Sequence, residues 1–430
     1  MTTHRKRSGG GAHRGRRWKF IVPGGGAAVA LALVWSAMGM PGWADESTPR
    51  TAAEVADAVE TAPMGAVACD DGEDGDGKGR YQAVYVHRQG TAPREGGPQA
   101  VRQVLWDIDQ TFEASAKRYA GDDESRRPRF VQDEECRPAV LSVEVTGLSE
   151  KHSMQQARDA ARSVVEKELT RRLGGEAQFA EWEKTHRELF FYDTGEPDGC
   201  GTAGTPSPES RATPHGGWAE VSWGCASESA LTHEMVHQFG VSHCDEDKAQ
   251  GNDPICRGYD ETPRCDGPRA ASVLDCGLDG FAYFHPRPAK GSYLATHPEE
   301  NVARSPYLMK NRQARAVKAR LVDADGGKCL TARGAQSSKL GLAACGGDGQ
   351  TWVREIGGRG YFKFKLGERC LEKRDGERAV LADCAAGKSA QHWWVNANVG
   401  DRLDGYHLVH RSGGDPVTVG DATTFRMRQA

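Results

Sequence analysis

Hydrophobic positions in the first half of the chain switch repeatedly between two spacings. The segments 81–87, 139–148 and 188–193 look like strands, and apolar and polar residues alternate as in a strand at 218–223. Apolar residues recur at helical spacing at 101–120, 153–173 and 229–240. Ser153 is a good N-cap for the second helix, and Gly174 follows its last turn. Strands that alternate with helices predict a mainly parallel α/β sheet.

The pattern changes near residue 320, where short strand-like segments separated by turns replace the helical spacing. Residues 328–353 and 369–395 are similar to each other. Each begins with Cys-Leu, continues with an apolar pair before a second cysteine, and ends with Gln-x-Trp. A degraded third copy lies at 406–427. A repeat of about 40 residues predicts stacked equivalent units, and therefore a separate all-β domain at 320–430.

The first 44 residues have the layout of a secretory signal peptide. Seven basic residues and no acidic ones precede an apolar run at 27–40, and Gly42 and Ala44 form a cleavage site. The alternative is an uncleaved anchor, but the run is short for a span of about 20 residues. We therefore expect a secreted, extracellular protein. A polar stretch follows, and we expect residues 45–80 to be a flexible segment.

Signal removal changes the charge of the chain. Loss of its seven basic residues leaves 49 of the 56 basic residues against 60 acidic ones, a net charge of −11. An acidic chain is a poor nucleic-acid binder. No later segment is long and apolar enough to span a bilayer, so we expect neither nucleic-acid nor membrane partners, and we expect a monomer.

The stretch THEMVHQFGVSH at 232–243 carries the strongest chemical signal. His233 and His237 are four residues apart, which places both imidazoles on one face of a helix. Gly240 allows a positive φ that turns the chain back, so that His243 can reach the same ion. Glu234 can reach a water on that ion without binding the ion. The spacing predicts one catalytic Zn²⁺ held by three histidines.

This motif resembles that of the metzincin zinc peptidases. The flanking stretches 274–277, 281–284 and 291–297 resemble secreted actinobacterial members of that group. The resemblance implies an α+β catalytic domain at 81–308, with a mixed sheet and an active-site helix. It further implies an endopeptidase in which Glu234 is the general base for a zinc-bound water. Residues 218–223 would be the edge strand that binds an extended protein or peptide substrate.

One position departs from the family pattern. Metzincins have a methionine in a tight turn below the metal, whereas Ile255 stands at the expected place. Isoleucine can fill that space without removing a catalytic group. Two alternatives stay open: a catalytically silent carbohydrate- or protein-binding protein, and a zinc amidase acting on cell-wall peptides. Tyr259 or Tyr283 is a candidate for oxyanion stabilisation, and a structural Ca²⁺ is left open.

All twelve cysteines follow the signal, which favours six disulfides in an exported protein. In the catalytic region we expect the pairs Cys69–Cys136, Cys200–Cys225, Cys244–Cys276 and Cys256–Cys265, although sequence alone does not fix the pairing. Cys69 could instead be a propeptide thiol that blocks the zinc.

The C-terminal repeats resemble the ricin-B-type lectins, which are β-trefoils. The resemblance implies intra-repeat disulfides Cys329–Cys345 and Cys370–Cys384, and core positions for Trp352 and Trp393. It also implies one possible carbohydrate pocket, around Glu372 and Gln391, because Thr331 replaces the acidic residue in the first repeat. Residues 309–319 would be a linker between the two domains.

Overall fold

The computed structural model describes most of the chain after residue 60. The described residues are 61–62, 65–70, 78–204, 216–243, 253–256, 273–275, 282–310, 312, 316–333, 338–356, 360–374, 379–397, 405–412, 416–420 and 422–430. The expected signal peptide 1–44 lies outside them. Residues Val59–Ala430 group into one compact unit. Among the described residues, no helix combines the length and apolar character that crossing a membrane requires.

The helices and strands are numbered along the chain. The helices are α1 (Gly97–Ala120), α2 (Met154–Leu173), α3 (Glu176–Glu183), α4 (Glu228–His237) and α5 (Tyr293–Thr296). The strands before residue 311 are β1 (Thr61–Ala62), β2 (Arg80–Arg88), β3 (Arg126–Pro128), β4 (Val140–Val145), β5 (Lys151–His152), β6 (His186–Asp193), β7 (Glu196–Pro197), β8 (Gly201–Ala203), β9 (Gly217–Ser222) and β10 (Leu308–Lys310). The later strands are β11 (Ala316–Asp323), β12 (Cys329–Ala332), β13 (Leu340–Ala343), β14 (Trp352–Ile356), β15 (Phe362–Leu366), β16 (Arg369–Lys373), β17 (Ala379–Asp383), β18 (Trp393–Ala397), β19 (Gly405–His410) and β20 (Phe425–Gln429).

A five-stranded mixed sheet forms the centre of the N-terminal part, in the order β4-β2-β6-β9-β8. The first four strands are parallel, and β8 is antiparallel to β9. Strand β2 is buried along seven consecutive residues, as expected when helices cover both faces of a sheet. Helices α1 and α4 pack on one face, and α2 packs on the other.

The predicted helices are present with small shifts. Helix α2 begins where expected, because Ser153 and Gln156 form a reciprocal capping box. Helix α1 begins four residues before the predicted start. Its extra residues include Pro98, which favours a first helical turn, and Gly96 precedes the helix with a φ of 70°.

The edge-strand prediction for residues 218–223 is wrong. Strand β9 lies between β6 and β8 and is hydrogen-bonded on both sides. The three-residue strand β8 forms the outer edge instead. It is short and rich in small residues, so its sequence carries no alternation that pattern reading detects.

The stretch 65–70 differs from the expected flexible segment 45–80. Ala66 and Val67 are buried, and the Val67 amide donates a hydrogen bond to the Cys136 carbonyl at 3.0 Å. Asp70 forms ion pairs with Arg129 and Arg80. These contacts anchor the six residues to the N-terminal part of the molecule.

The C-terminal strands form one sheet in which the two repeats have matching cores. Trp352 and Trp393 are completely buried. Each indole N–H donates to a leucine carbonyl of its own repeat, Leu330 at 3.1 Å and Leu371 at 3.0 Å. Within the predicted linker 309–319, residues 309–310 belong to β10 and residues 316–319 belong to β11.

Helix α1 joins the two parts of the molecule. Its Asp107 accepts a hydrogen bond from the Tyr406 hydroxyl of β19 at 3.0 Å, and Gln103 also contacts that hydroxyl. The Arg354 guanidinium of β14 lies 4.3 Å from the centroid of a Trp106 ring. All five side chains are buried, so the contact is a packed interface.

Candidate metal centre

Helix α4 presents two histidines on one face. The Ser227 hydroxyl caps its start by accepting a hydrogen bond from the Ala230 amide at 3.0 Å. The helix ends at His237, and Gly240 has a φ of 73°, as expected for a residue that reverses the chain after a helix. This turn brings His243 back to the helix.

The three imidazoles converge through their Nε2 atoms. The distance is 3.0 Å from His233 to His237, 3.1 Å from His237 to His243 and 3.0 Å from His243 to His233. Ligand atoms at about 2.0 Å from one tetrahedral ion lie about 3.3 Å apart. The spacing therefore suits three ligands of a single ion.

The other ring nitrogens show which atoms carry the protons. His233 Nδ1 lies 2.8 Å from the Pro254 carbonyl, and His237 Nδ1 lies 2.8 Å from the Val241 carbonyl. A carbonyl only accepts hydrogen bonds, so both rings are protonated on Nδ1 when neutral, and their Nε2 lone pairs face each other. Burial also lowers the pKa of His237, which favours the neutral ring. Two lone pairs at 3.0 Å repel unless a cation lies between them, so the donor set fits a metal.

Glu234 follows the first of these histidines in α4, and strand β8 confines its carboxylate. A Cβ atom added to Gly201 would lie 2.9 Å from Glu234 Oε1 and 3.0 Å from the Glu220 carbonyl. The backbone of strand β8 at Gly201 therefore lies so close to the Glu234 carboxylate that a side chain at this position would collide with it. Burial, with a smaller contribution from Glu220, raises the pKa of Glu234 to about 7 in the protein without metal.

Glu220 is a second buried carboxylate near the site that the sequence did not reveal. It accepts hydrogen bonds from Tyr192 and Arg158, both at 2.8 Å. Burial raises its pKa to about 7 against the effect of both partners. The alternating pattern of β9 predicted a strand but carried no sign that this acid faces the interior.

Ile255 lies in a 3-10 turn, Pro254–Cys256, below helix α4. Its side chain is buried, and its amide donates to Asp253 Oδ1 at 3.0 Å. The neighbouring Pro254 carbonyl is the one that contacts His233. The residue therefore belongs to the turn that supports a metal-ligand candidate.

Tyr283 supports the same turn, and the oxyanion suggestion for it is not supported. Its hydroxyl donates to Asp253 Oδ1 at 2.7 Å and accepts from the Asp275 amide at 2.9 Å. Both hydrogen bonds are buried, so this hydroxyl has a structural role. Tyr259 lies outside the described residues.

Four of the six expected disulfides are present: Cys69–Cys136, Cys200–Cys225, Cys329–Cys345 and Cys370–Cys384. The first excludes Cys69 as a zinc-blocking thiol in this structure. The second joins the start of β8 to the turn before α4. The pairs Cys244–Cys276 and Cys256–Cys265 include residues outside the described part of the chain.

The expected carbohydrate pocket holds a buried acid. Glu372 Oε2 accepts hydrogen bonds from Gln391 at 2.9 Å and from Lys388 at 2.7 Å. Burial opposes ionisation, but Lys388 and Gln391 outweigh it and lower the pKa of Glu372. Gln391 is fully buried, and its amide also contacts the Asp383 carbonyl and the Ala385 amide. The structure brings Glu372 and Gln391 together as predicted, with the Gln391 amide positioning Glu372 and the adjacent loop, and sugar binding by this pair stays a prediction.

Comparison with known proteins identifies the C-terminal part. Residues 317–418 match the family model described as ricin-type β-trefoil lectin domain. The chain carries a β-trefoil lectin domain. The match covers the predicted repeats and does not extend into the N-terminal part. No curated protein matches the chain.

Several solved structures are similar to part of the chain. SeviL bound to asialo-GM1 saccharide is 16% identical, with a TM-score of 0.22, and the match covers 26% of this chain and 97% of that one. An endo-β-galactosidase from Clostridium perfringens that releases GlcNAcα1-4Gal is 14% identical, with a TM-score of 0.21. The match covers 26% of this chain and 29% of that one. The Haemophilus ducreyi cytolethal distending toxin is 20% identical, with a TM-score of 0.20. The match covers 26% of this chain and 73% of that one.

Proposed function

We propose that the N-terminal part is a zinc-dependent endopeptidase of the metzincin type, secreted together with its lectin domain. The observation that carries the proposal is the convergence of three Nε2 atoms at 3.0–3.1 Å, two of them from rings whose Nδ1 atoms contact carbonyls. His233, His237 and His243 would hold the ion. When bound, zinc would polarise a scissile carbonyl and lower the pKa of a water molecule toward about 7.

Glu234 supplies the proton transfer in this proposal. Its carboxylate is next to the first ligand in sequence, and strand β8 restricts its position. It accepts a proton from the attacking water and donates that proton to the leaving amine. The outer edge of β8 pairs with no strand among the described residues, so it can pair with an extended peptide.

Cleavage of casein tests the peptidase proposal. We expect the zinc-loaded wild-type protein to cleave casein, and the Glu234→Gln variant to retain zinc but lose at least about 100-fold in rate. Purified cell wall serves as a parallel substrate. Absence of casein cleavage by a folded, zinc-loaded wild-type protein would contradict the proposal. Cleavage of cell-wall peptides alone would favour the amidase alternative.

The second candidate function is carbohydrate binding by the trefoil. The ionised Glu372, held by Lys388 and Gln391, is the observation that favours it, since a fixed carboxylate accepts hydrogen bonds from sugar hydroxyls. A glycan array with the whole protein tests this function. We expect Glu372→Gln to lose the signal and Thr331→Ala, at the equivalent place in the first repeat, to keep it. An array without signal for the wild-type protein would contradict the candidate.

A further inference from the structure

A short segment of the N-terminal part, residues 273–275, is in contact with the trefoil. We call it the bridging segment, and all three of its residues are buried. Val273 belongs to one apolar cluster with three buried trefoil residues, Tyr361, Trp394 and Val409. The ring centroids of Tyr361 and Trp394 lie 4.9 Å apart in an edge-on arrangement. The trefoil therefore packs against the first residue of the bridging segment.

The last residue of the bridging segment holds the turn that supports the metal centre. The Asp275 amide donates to the Tyr283 hydroxyl at 2.9 Å, and Asp275 Oδ2 accepts from the Tyr283 amide at 2.9 Å. The same hydroxyl donates to Asp253 Oδ1 at 2.7 Å. Asp253 precedes Pro254, whose carbonyl lies 2.8 Å from His233 Nδ1. A continuous series of buried contacts thus connects the trefoil to a metal-ligand candidate.

The backbone of the bridging segment depends on its neighbours for its conformation. Asp275 has a φ of 49°, in the left-handed region that few residues other than glycine adopt. Such a conformation persists where the surrounding structure holds it. Besides the hydrogen bonds of Asp275, the Leu274 amide donates to the Ser115 hydroxyl of α1 at 3.0 Å. A displacement of α1 or of the trefoil would therefore reach the segment directly.

The trefoil also contacts α1 next to Ser115. Gly360 has a φ of 75°, and a Cβ atom at this position would overlap the Ala114 carbonyl oxygen. Both groups in this contact are backbone, so a methyl group on Gly360 must displace either the trefoil strand entry or α1. Gly360 precedes Tyr361, and Ala114 precedes Ser115. The displacement would therefore act on both groups that contact the bridging segment.

We propose that the trefoil positions the metal-ligand candidate His233 through the bridging segment and the turn at Pro254. This inference rests on the proposed zinc function, and it adds that the lectin domain is part of the support of the metal centre. Gly360, Tyr361 and Val273 are positioning residues, because they act on His233 through hydrogen bonds made by other residues. Close-packed interiors transmit such displacements, since they have little free volume to absorb them.

Hydrogen exchange in the whole, metal-free protein tests the support of the turn. We expect the Ile255 and Tyr283 amides to exchange at least about 10-fold faster in Gly360→Ala than in the wild-type protein. Gly387→Ala is the matched control, because this trefoil glycine has a φ of 72° and a Cβ atom added to it would meet nothing within 4 Å. We expect wild-type exchange of both amides in the control. Wild-type exchange in Gly360→Ala would overturn the proposal.

Zinc affinity, measured by competition with a chelator, tests the effect on the metal centre. We expect the affinity to fall between about 3- and 10-fold in Gly360→Ala and by less than about 2-fold in Gly387→Ala. In Gly360→Ala/Tyr283→Phe, the loss should be smaller than the product of the two single losses, because both changes act on the same turn. Unchanged zinc affinity in Gly360→Ala, or independent losses in the double variant, would overturn the proposal.

A second variant covers the case in which Gly360→Ala does not fold. Val273→Ala removes two methyl groups from the apolar cluster with the trefoil and leaves the glycine turn intact, and we expect the same direction of change in both measurements. A wild-type protein that binds no zinc would contradict the proposed function itself. The exchange comparison is made without metal, so it distinguishes that failure from a failure of the trefoil to support the turn.

Discussion

At the residue scale, spacing along the chain predicted the metal-ligand candidates but not the groups that hold them. His233 and His237 are four residues apart on a helix, and Gly240 turns the chain back toward His243, so the motif itself predicts that the three converge. Asp253 and Tyr283 lie far from that motif in sequence, and only the folded chain brings them below it. The polar groups that support a site are therefore harder to predict than its ligands.

Tyr283 provides the first prediction at this scale. Tyr283→Phe removes the hydrogen bond to Asp253 and loosens the turn that carries the Pro254 carbonyl. We expect zinc affinity to fall about 10-fold while the fold is retained. Competition with a fluorescent zinc chelator measures the change.

Tyr81→Phe is the matched control. It removes another buried hydroxyl, one that accepts a long hydrogen bond from Arg187. Equal zinc affinities for the wild-type protein and Tyr283→Phe would show that the turn does not depend on this hydroxyl.

At the scale of elements, the long periodic segments were predicted and the short ones were missed. The pattern identified α2 and β2, because a buried helix face or a run of buried strand residues repeats the signal over many positions. Strand β8 has only three residues, yet it forms the sheet edge beside Glu234. Strand order depends on contacts between distant segments, which no local pattern records.

Strand β8 provides a second prediction. Gly201→Ala puts a methyl group 2.9 Å from Glu234 Oε1, so the carboxylate must move. We expect kcat to fall between about 10- and 100-fold with zinc content unchanged, since a displacement of about 1 Å can cost that much. Gly199→Ala is the control, because its methyl group would meet only Met154 at 3.5 Å. If Gly201→Ala kept the wild-type kcat, the close approach of β8 to Glu234 would have no role in catalysis.

At the scale of the whole molecule, the two parts are packed together through α1. The sequence predicted two domains and a linker, because composition and repeats change near residue 320. It could not predict that Gln103 and Asp107, polar residues in a helical pattern, face a trefoil strand. Their partner Tyr406 is about 300 residues away in the chain, and only tertiary packing reveals the interface.

This interface makes stability depend on pH. Burial raises the pKa of Asp107 to about 8, against the lowering effects of Arg354 and Tyr406. The native state therefore keeps a proton that the unfolded chain releases above about pH 4. The free energy of unfolding should fall as the pH rises from about 4 to about 8, and this contribution is lost above the folded-state pKa.

Asp107→Asn tests the pH effect, because asparagine cannot ionise. We expect its free energy of unfolding, from urea titrations at pH 5 and pH 8, to change less with pH than that of the wild-type protein. The comparison removes the contributions of other titrating groups that both proteins share. Parallel pH profiles would show that Asp107 is already ionised in the folded protein.

Zinc binding by the histidine cluster is the central claim, and isothermal titration of the metal-free protein with zinc tests it most directly. We predict one tight zinc site per chain in the wild-type protein and loss of that site in His237→Gln. The control His407→Gln, which replaces a trefoil histidine hydrogen-bonded to Thr424, should retain the site. Absence of a tight site in the wild-type protein, or an unchanged site in His237→Gln, would contradict the account.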